Sequence, residues 1–273
     1  MRKVVLLLLV VMLSIAAVPA LGQESANPTP SINAIAFNDF GFAYHTSLGS
    51  TLTIAAKTGD APDVQQPGGP VPPHTLYALY HPSADGTPVN PDFAPVLIRF
   101  YHTADLAPYA AQSAALSQLE SLLADRPDLG AYTVAPSDIS QAFPSLPMLD
   151  NIPAAQTIIA RPAYLEASGF TGIAYITAYR SDVSPFMSDS FAYIFQGIST
   201  DGALAVSAWF DLTTPLFPET LPADFNYDAF TADYLNNLTQ SVEILTSASP
   251  DDFSPSLTML DTLISSFTDL SGG

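Results

Sequence analysis

The chain has 273 residues, no cysteine, and 26 acidic residues against seven Lys and Arg, for a net charge of −19. That composition excludes disulfides, thiolate metal sites and cysteine nucleophiles, and it makes nucleic acid and anionic membranes unsuitable partners, since both require clustered cations. A hydrophobic content of 48% with 11% aromatics argues against disorder and for one domain held by its core alone.

Arg2 and Lys3 open the chain, an apolar run extends from Val4 to Val18, Pro19 interrupts it, and Ala20-Leu21-Gly22 supplies small residues for cleavage. This is a secretory signal peptide over residues 1–22. The run is too short before Pro19 for a spanning helix, which needs about 20 apolar residues. No cysteine is available for a lipoprotein anchor. The mature chain is expected to be extracellular or periplasmic, with no membrane span. Loss of Arg2 and Lys3 leaves five cations (Lys57, Arg99, Arg126, Arg161, Arg180) against 26 acids, a net charge near −21.

A polar tether follows over residues 23–31, then a single domain over residues 32–270. Ile32–Phe37 and Phe40–Tyr44 flank Asn38-Asp39, a dipeptide that tolerates positive φ, and predict a hairpin. Thr51–Ala56 predicts a third strand. Gly59–Pro73, with five prolines and three glycines, predicts a loop. Thr75–Tyr80 and Pro95–Tyr101 predict strands. Asp105 is positioned to cap a helix that tolerates Pro108 in its first turn, with Tyr109, Leu116, Leu119 and Leu123 on one face. Pro127–Pro153 reads as irregular. Thr157–Leu165, Gly172–Arg180, Ser190–Ile198 and Leu204–Leu212 alternate with period two and predict an antiparallel meander. Ala229–Leu245 predicts a helix, and Ser254-Pro255 reads as the start of a last one through Leu257, Leu260, Ile264 and Phe267. The expected fold is α+β: an antiparallel sheet, from an N-terminal hairpin plus a C-terminal meander, covered by about three helices.

The segments Phe37–Tyr44, Gly172–Tyr179 and Tyr193–Gly202, with Val206-Ser207-Ala208 after them, resemble an uncharacterised family of secreted bacterial proteins. The terminal phrase Leu260-Asp261-Thr262-Leu263-Ile264-Ser265-Ser266-Phe267 resembles the last helix of PsbP-like domains. That resemblance implies an α/β/α sandwich and a non-catalytic assembly or binding role. It transfers no functional residue, because no motif of this chain matches one.

The nucleophile elbow, the phosphate-binding glycine loops and the H-E-x-x-H zinc motif are all missing from the sequence. His81, His102 and Asp105 lie at strand ends and, should those ends meet, have the donor chemistry of zinc ligands; as isolated polar tips they have no such role. The Asp85–Asp92 loop holds Asp85, Asn90 and Asp92 without the spacing of an EF-hand. Trp209 has the opposite parity to Leu204, Val206 and Phe210. With Tyr175 and Tyr179 it forms a ligand or partner patch if that sheet face is open, and core if it is covered. The leading expectation is a secreted non-catalytic domain that binds a ligand or an extracellular or envelope protein, with no cofactor. A secreted hydrolase and a metal- or calcium-binding module are the alternatives. The sequence leaves the oligomeric state open.

Overall fold

A computed structural model describes residues 31–135, 141 and 143–271. The expected signal peptide and all of the tether but Ser31 lie outside these. The fold is mixed α+β, built on two antiparallel sheets. The larger has seven strands: β3 (Thr51–Lys57), β4 (His74–Tyr80), β5 (Val96–His102), β6 (Ala155–Ala167), β7 (Phe170–Arg180), β8 (Phe191–Ser199) and β9 (Leu204–Leu212), in the order β3-β4-β5-β9-β8-β7-β6. The smaller sheet holds the expected hairpin, β1 (Ile32–Phe37) and β2 (Phe40–His45), with the short β10 (Thr268–Asp269) on the other side of β2.

The hairpin turns where the dipeptide permits it, with Asn38 at φ 52° and Phe37 opposite Phe40. It is not part of the main sheet but stacks on it. Phe40 is fully buried, its ring 5.1 Å from Phe100 and 5.2 Å from Phe267, and Tyr77 donates its hydroxyl to the Phe37 carbonyl at 3.0 Å.

Every residue of β8 is buried, so the sheet is covered on both faces. One face carries Ile98, Phe100, Ala174, Ile176, Phe195, Val206 and Phe210. It packs under α4 (Tyr234–Ser247), α5 (Leu257–Ser265) and the small sheet through Leu238, Leu245, Leu260 and Ile264. The opposite face carries Ile159, Ile173, Tyr175 and Ile194, and packs against Leu119 and Leu122 of α2 (Ala110–Asp125) and against Leu129 and Leu146. On the first face Gly172 and Gly197 stand opposite each other, and the Phe195 ring fills the space a side chain would take.

Among the described residues five helices appear, because two of the three expected ones are divided. Pro108, without an N–H, separates the single turn α1 (Thr103–Leu106) from α2, and Asp105 sits inside that turn instead of capping a long helix. Asp233, at φ −113° and ψ 22°, separates α3 (Tyr227–Ala232) from α4. The last helix begins later than expected. Ser256 is its N-cap, while Ser254 pairs with Thr213 and the Ser254–Pro255 peptide is cis. At the edge of the main sheet, a bulge at Arg161-Pro162 turns the Arg161 guanidinium onto the last carbonyls of α4, 2.6 Å from the Ala248 oxygen, where a cation suits the helix dipole.

Candidate functional site

Among the described residues, a polar row crosses the second face of the main sheet. Arg99 on β5, Ser207 on β9 and Gln196 on β8 are register neighbours. Ser207 and Gln196 are fully buried, a costly placement unless each polar atom finds a partner. The partners come from the irregular segment 146–151, which lies across the row. Gln196 accepts from the Leu149 N–H at 2.9 Å and donates to Ser207 Oγ at 2.7 Å. Gln156 accepts from the Leu146 N–H, and Tyr175 donates to the Pro147 carbonyl. Sheet side chains thus satisfy a backbone with no strand neighbour of its own, which fixes the position of Asp150.

Asp150 in turn holds the end of the row. Arg99 Nη1 donates to Asp150 Oδ2 at 2.6 Å, and the Tyr101 hydroxyl donates to Asp150 Oδ1 at 2.8 Å. Burial and the Asp150 charge hold the Tyr101 hydroxyl well above its usual range. Burial works against the Arg99 charge, but the charge and hydrogen bond of Asp150, with Tyr101 and Asp92, together outweigh it, so its pKa is raised. A guanidinium has five N–H donors. Asp150 takes one of them, and none of the Arg99 nitrogens is among the buried atoms lacking a partner. Nε and Nη2, which make no hydrogen bond among the described residues, therefore keep some contact with solvent.

Arg99 lines a cleft of about 390 Å³. Its floor is the end of three strands: Lys57 on β3, His74 on β4, and Arg99 and Tyr101 on β5. Lys57 is the register partner of His74, and the His74 and Tyr101 rings lie 5.4 Å apart. One wall is the proline-rich loop through Thr58, Asp60 and Val71; the other is Leu149 to Ile152. The loop is tied shut by Asp60, whose carboxylate accepts from the Val71 N–H and from Gln66. Gly59 starts it at φ +71°, where a Cβ would lie 2.5 Å from the Pro73 nitrogen. Asn151 donates to the Gly69 and Pro70 carbonyls and joins the two walls.

Inside the cleft, His74 Nδ1 lies 2.8 Å from the Pro72 carbonyl. A carbonyl needs a donor, so the neutral ring carries its proton there and leaves Nε2 as an acceptor. Burial lowers the His74 pKa; the Pro72 hydrogen bond opposes this, the Arg99 charge assists it, and Asp150 and Lys57 act more weakly in opposite senses. Lys57 pairs with Asp92 at 2.7 Å in a partly exposed bridge, the kind that contributes little and opens readily.

The histidines considered as zinc ligands are placed differently. β4 and β5 do pair, but antiparallel, with Thr75 opposite Phe100 and Leu79 opposite Val96. This sets His81 against position 94, roughly 27 Å along the strand from His102 at about 3.4 Å per residue. His81 bonds instead to the Ser47 carbonyl and Ser50 hydroxyl. His102 and Asp105 are exposed at the other end. Among the described residues, no group of three or more His, Cys, Asp or Glu is placed to hold a metal ion. Asp85 is taken up by Ser83 and the Thr87 N–H, and Asp92 by Lys57, so the acids of that loop do not converge.

The aromatic trio lies on the covered face. Tyr175 is core. Trp209 and Tyr179 are half-buried at its margin, ring centroids 5.8 Å apart, and Trp209 donates Nε1–H to Asp211.

Sequence reasoning missed Lys57, Arg99 and Asp150 as site residues. The available signal was Arg99 itself, a charge at the centre of an otherwise apolar strand. Comparison with protein-family models, with curated proteins and with solved structures returns no match for this chain.

Proposed function

We infer that this chain is an exported, non-catalytic binding domain that takes a small polar ligand in the Arg99 cleft. The observation that carries this reading is a largely buried guanidinium, fixed by Asp150 through one hydrogen bond, in the lining of a formed cavity. About 390 Å³ is at the small end of ligand pockets, which suits a metabolite-sized molecule and not a macromolecule. Catalysis is disfavoured by the lining. His74 is a neutral imidazole, but the only aliphatic hydroxyl there is that of Thr58, and no hydrogen bond joins the two among the described residues. Export rests on the leader over residues 1–22, and the PsbP-like phrase agrees with a binding role.

The test is a thermal-shift screen of residues 23–273 against a library of small polar metabolites, with Thr58→Trp as the control that fills the cleft from its loop wall. Ligand stabilises the native state by mass action. Compounds that raise the melting temperature of the wild type and not of Thr58→Trp are expected. Hits that act equally on both, or no hits at millimolar concentration, overturn the reading.

A further inference from the structure

We propose that the cleft is an oxyanion site, selecting small organic ligands through a carboxylate or phosphate group held between Arg99 and Lys57. This rests on the ligand-binding reading above and gives it a ligand class.

Cations are scarce in this chain. After residue 22 the chain has five cations, and two of them line one cleft. The other three lie elsewhere, and Arg180 alone among them keeps a buried nitrogen, Nε, without a partner. Arg126 pairs with Glu166 at 2.8 Å and stacks on Tyr164. Arg161 caps α4. Arg180 donates to Ser190 and lies over Phe186. On a surface dominated by carboxylates, solubility gives no reason to put two cations in one cavity.

A second feature of the two cations is availability. Arg99 is oriented by a single hydrogen bond, from Nη1, and its Nε and Nη2 make none among the described residues; those two are the edge of a guanidinium that can match a carboxylate or phosphate with parallel N–H donors. Lys57 is bridged only to Asp92, whose carboxylate is about half exposed and is free to yield to a ligand oxygen. The third is electrostatic position. His74 lies close enough to both Arg99 and Lys57 for each to disfavour its protonation. Burial is the main cause of that depression and Asp150 opposes the two cations; the imidazole lies on the strand next to Lys57, in a lining that also holds Asp60, Asp92 and Asp150. An anion settling there favours the protonated ring. Leu149, Ile152, Val71 and Pro72 supply apolar walls for a short carbon skeleton.

The experiment titrates residues 23–273 at low salt with succinate, inorganic phosphate and neutral glucose, following the His74 Hε1 proton resonance and, by calorimetry, the heat of binding. Succinate, phosphate or both are expected to bind and to raise the apparent His74 pKa; the active arm shows whether the group is carboxylate or phosphate. Lys57→Met, a change at a partly exposed position, is expected to weaken binding at least tenfold at an unchanged melting temperature. Arg99→Lys, which keeps the charge and loses the fork, is expected to weaken it further. Binding of glucose, or anion binding indifferent to Lys57→Met, overturns the oxyanion assignment while leaving the cleft a binding site. No probe perturbing His74 at 10 mM removes the oxyanion assignment, and with the library screen also negative the binding reading falls too.

Discussion

Replacing Gln196 by Leu tests whether the segment over the sheet is held by the polar row. Gln196 is 0% exposed, and its amide serves two buried partners, the Leu149 N–H at 2.9 Å and Ser207 Oγ at 2.7 Å. Leu has nearly the same volume, so little cavity forms. What remains is a buried amide donor and a hydroxyl without their partners. An orphaned buried donor costs about 1–3 kcal/mol and a lost neutral hydrogen bond about 1 kcal/mol. The expected loss is therefore about 2–4 kcal/mol, measured as a lower urea midpoint at unchanged m-value. The Leu149 amide should also lose its protection from hydrogen exchange, because that N–H faces only the Gln196 oxygen. Ser207→Ala in the Leu background should cost less than Ser207→Ala alone, since the hydroxyl has already lost its acceptor role. A loss under about 0.5 kcal/mol, or full additivity of the two changes, would refute the claim that these bonds fix the segment that positions Asp150.

Three further outcomes follow from the packing and from the titrating groups. Gly197→Ala places a Cβ 2.6 Å from the Phe195 ring in a closed core, and should cost about 1–3 kcal/mol; Phe195→Leu should recover part of this, and a melting temperature equal to the wild type would contradict the packing. The folded pKa of His74 is depressed, so below the unfolded value of 6.5 the unfolded chain binds the extra proton and the native state loses stability as pH falls. His74→Gln should remove that share of the acid limb, and identical stability–pH curves for the two proteins would show that burial does not depress the His74 pKa. Tyr77 is pushed up to about 12, by burial first and Asp39 second, and burial also raises Tyr101, Tyr175, Tyr179 and Tyr193. Raised values favour the native state below pH 10, and that advantage is lost as the pH climbs further. Absorbance at 295 nm should therefore show this buried set titrating only as the fold melts. One reversible step for all twelve, without loss of circular dichroism, would refute it.

Local chemistry alone settled much of this chain. Period-two alternation located the strands of the meander, Leu204–Leu212 to the residue, because a half-wet or fully buried strand must alternate or be apolar throughout. Asn38-Asp39 determined the first turn because few dipeptides accept positive φ. The parity of Trp209 placed it correctly with Ser207, but whether that face was open depended on segment 146–151, which has no periodicity to read. Helix breaks at Pro108 and Asp233 depended on how each turn packs. The cleft was beyond local reasoning. Lys57, His74, Arg99 and Asp150 are distant in sequence and come together only because β3, β4 and β5 pair in one register and a loop crosses them. The same antiparallel register separates His81 from His102. Strand order and register are set by which faces the whole core can bury at once, so only the tertiary structure decided which charged side chains share a cavity.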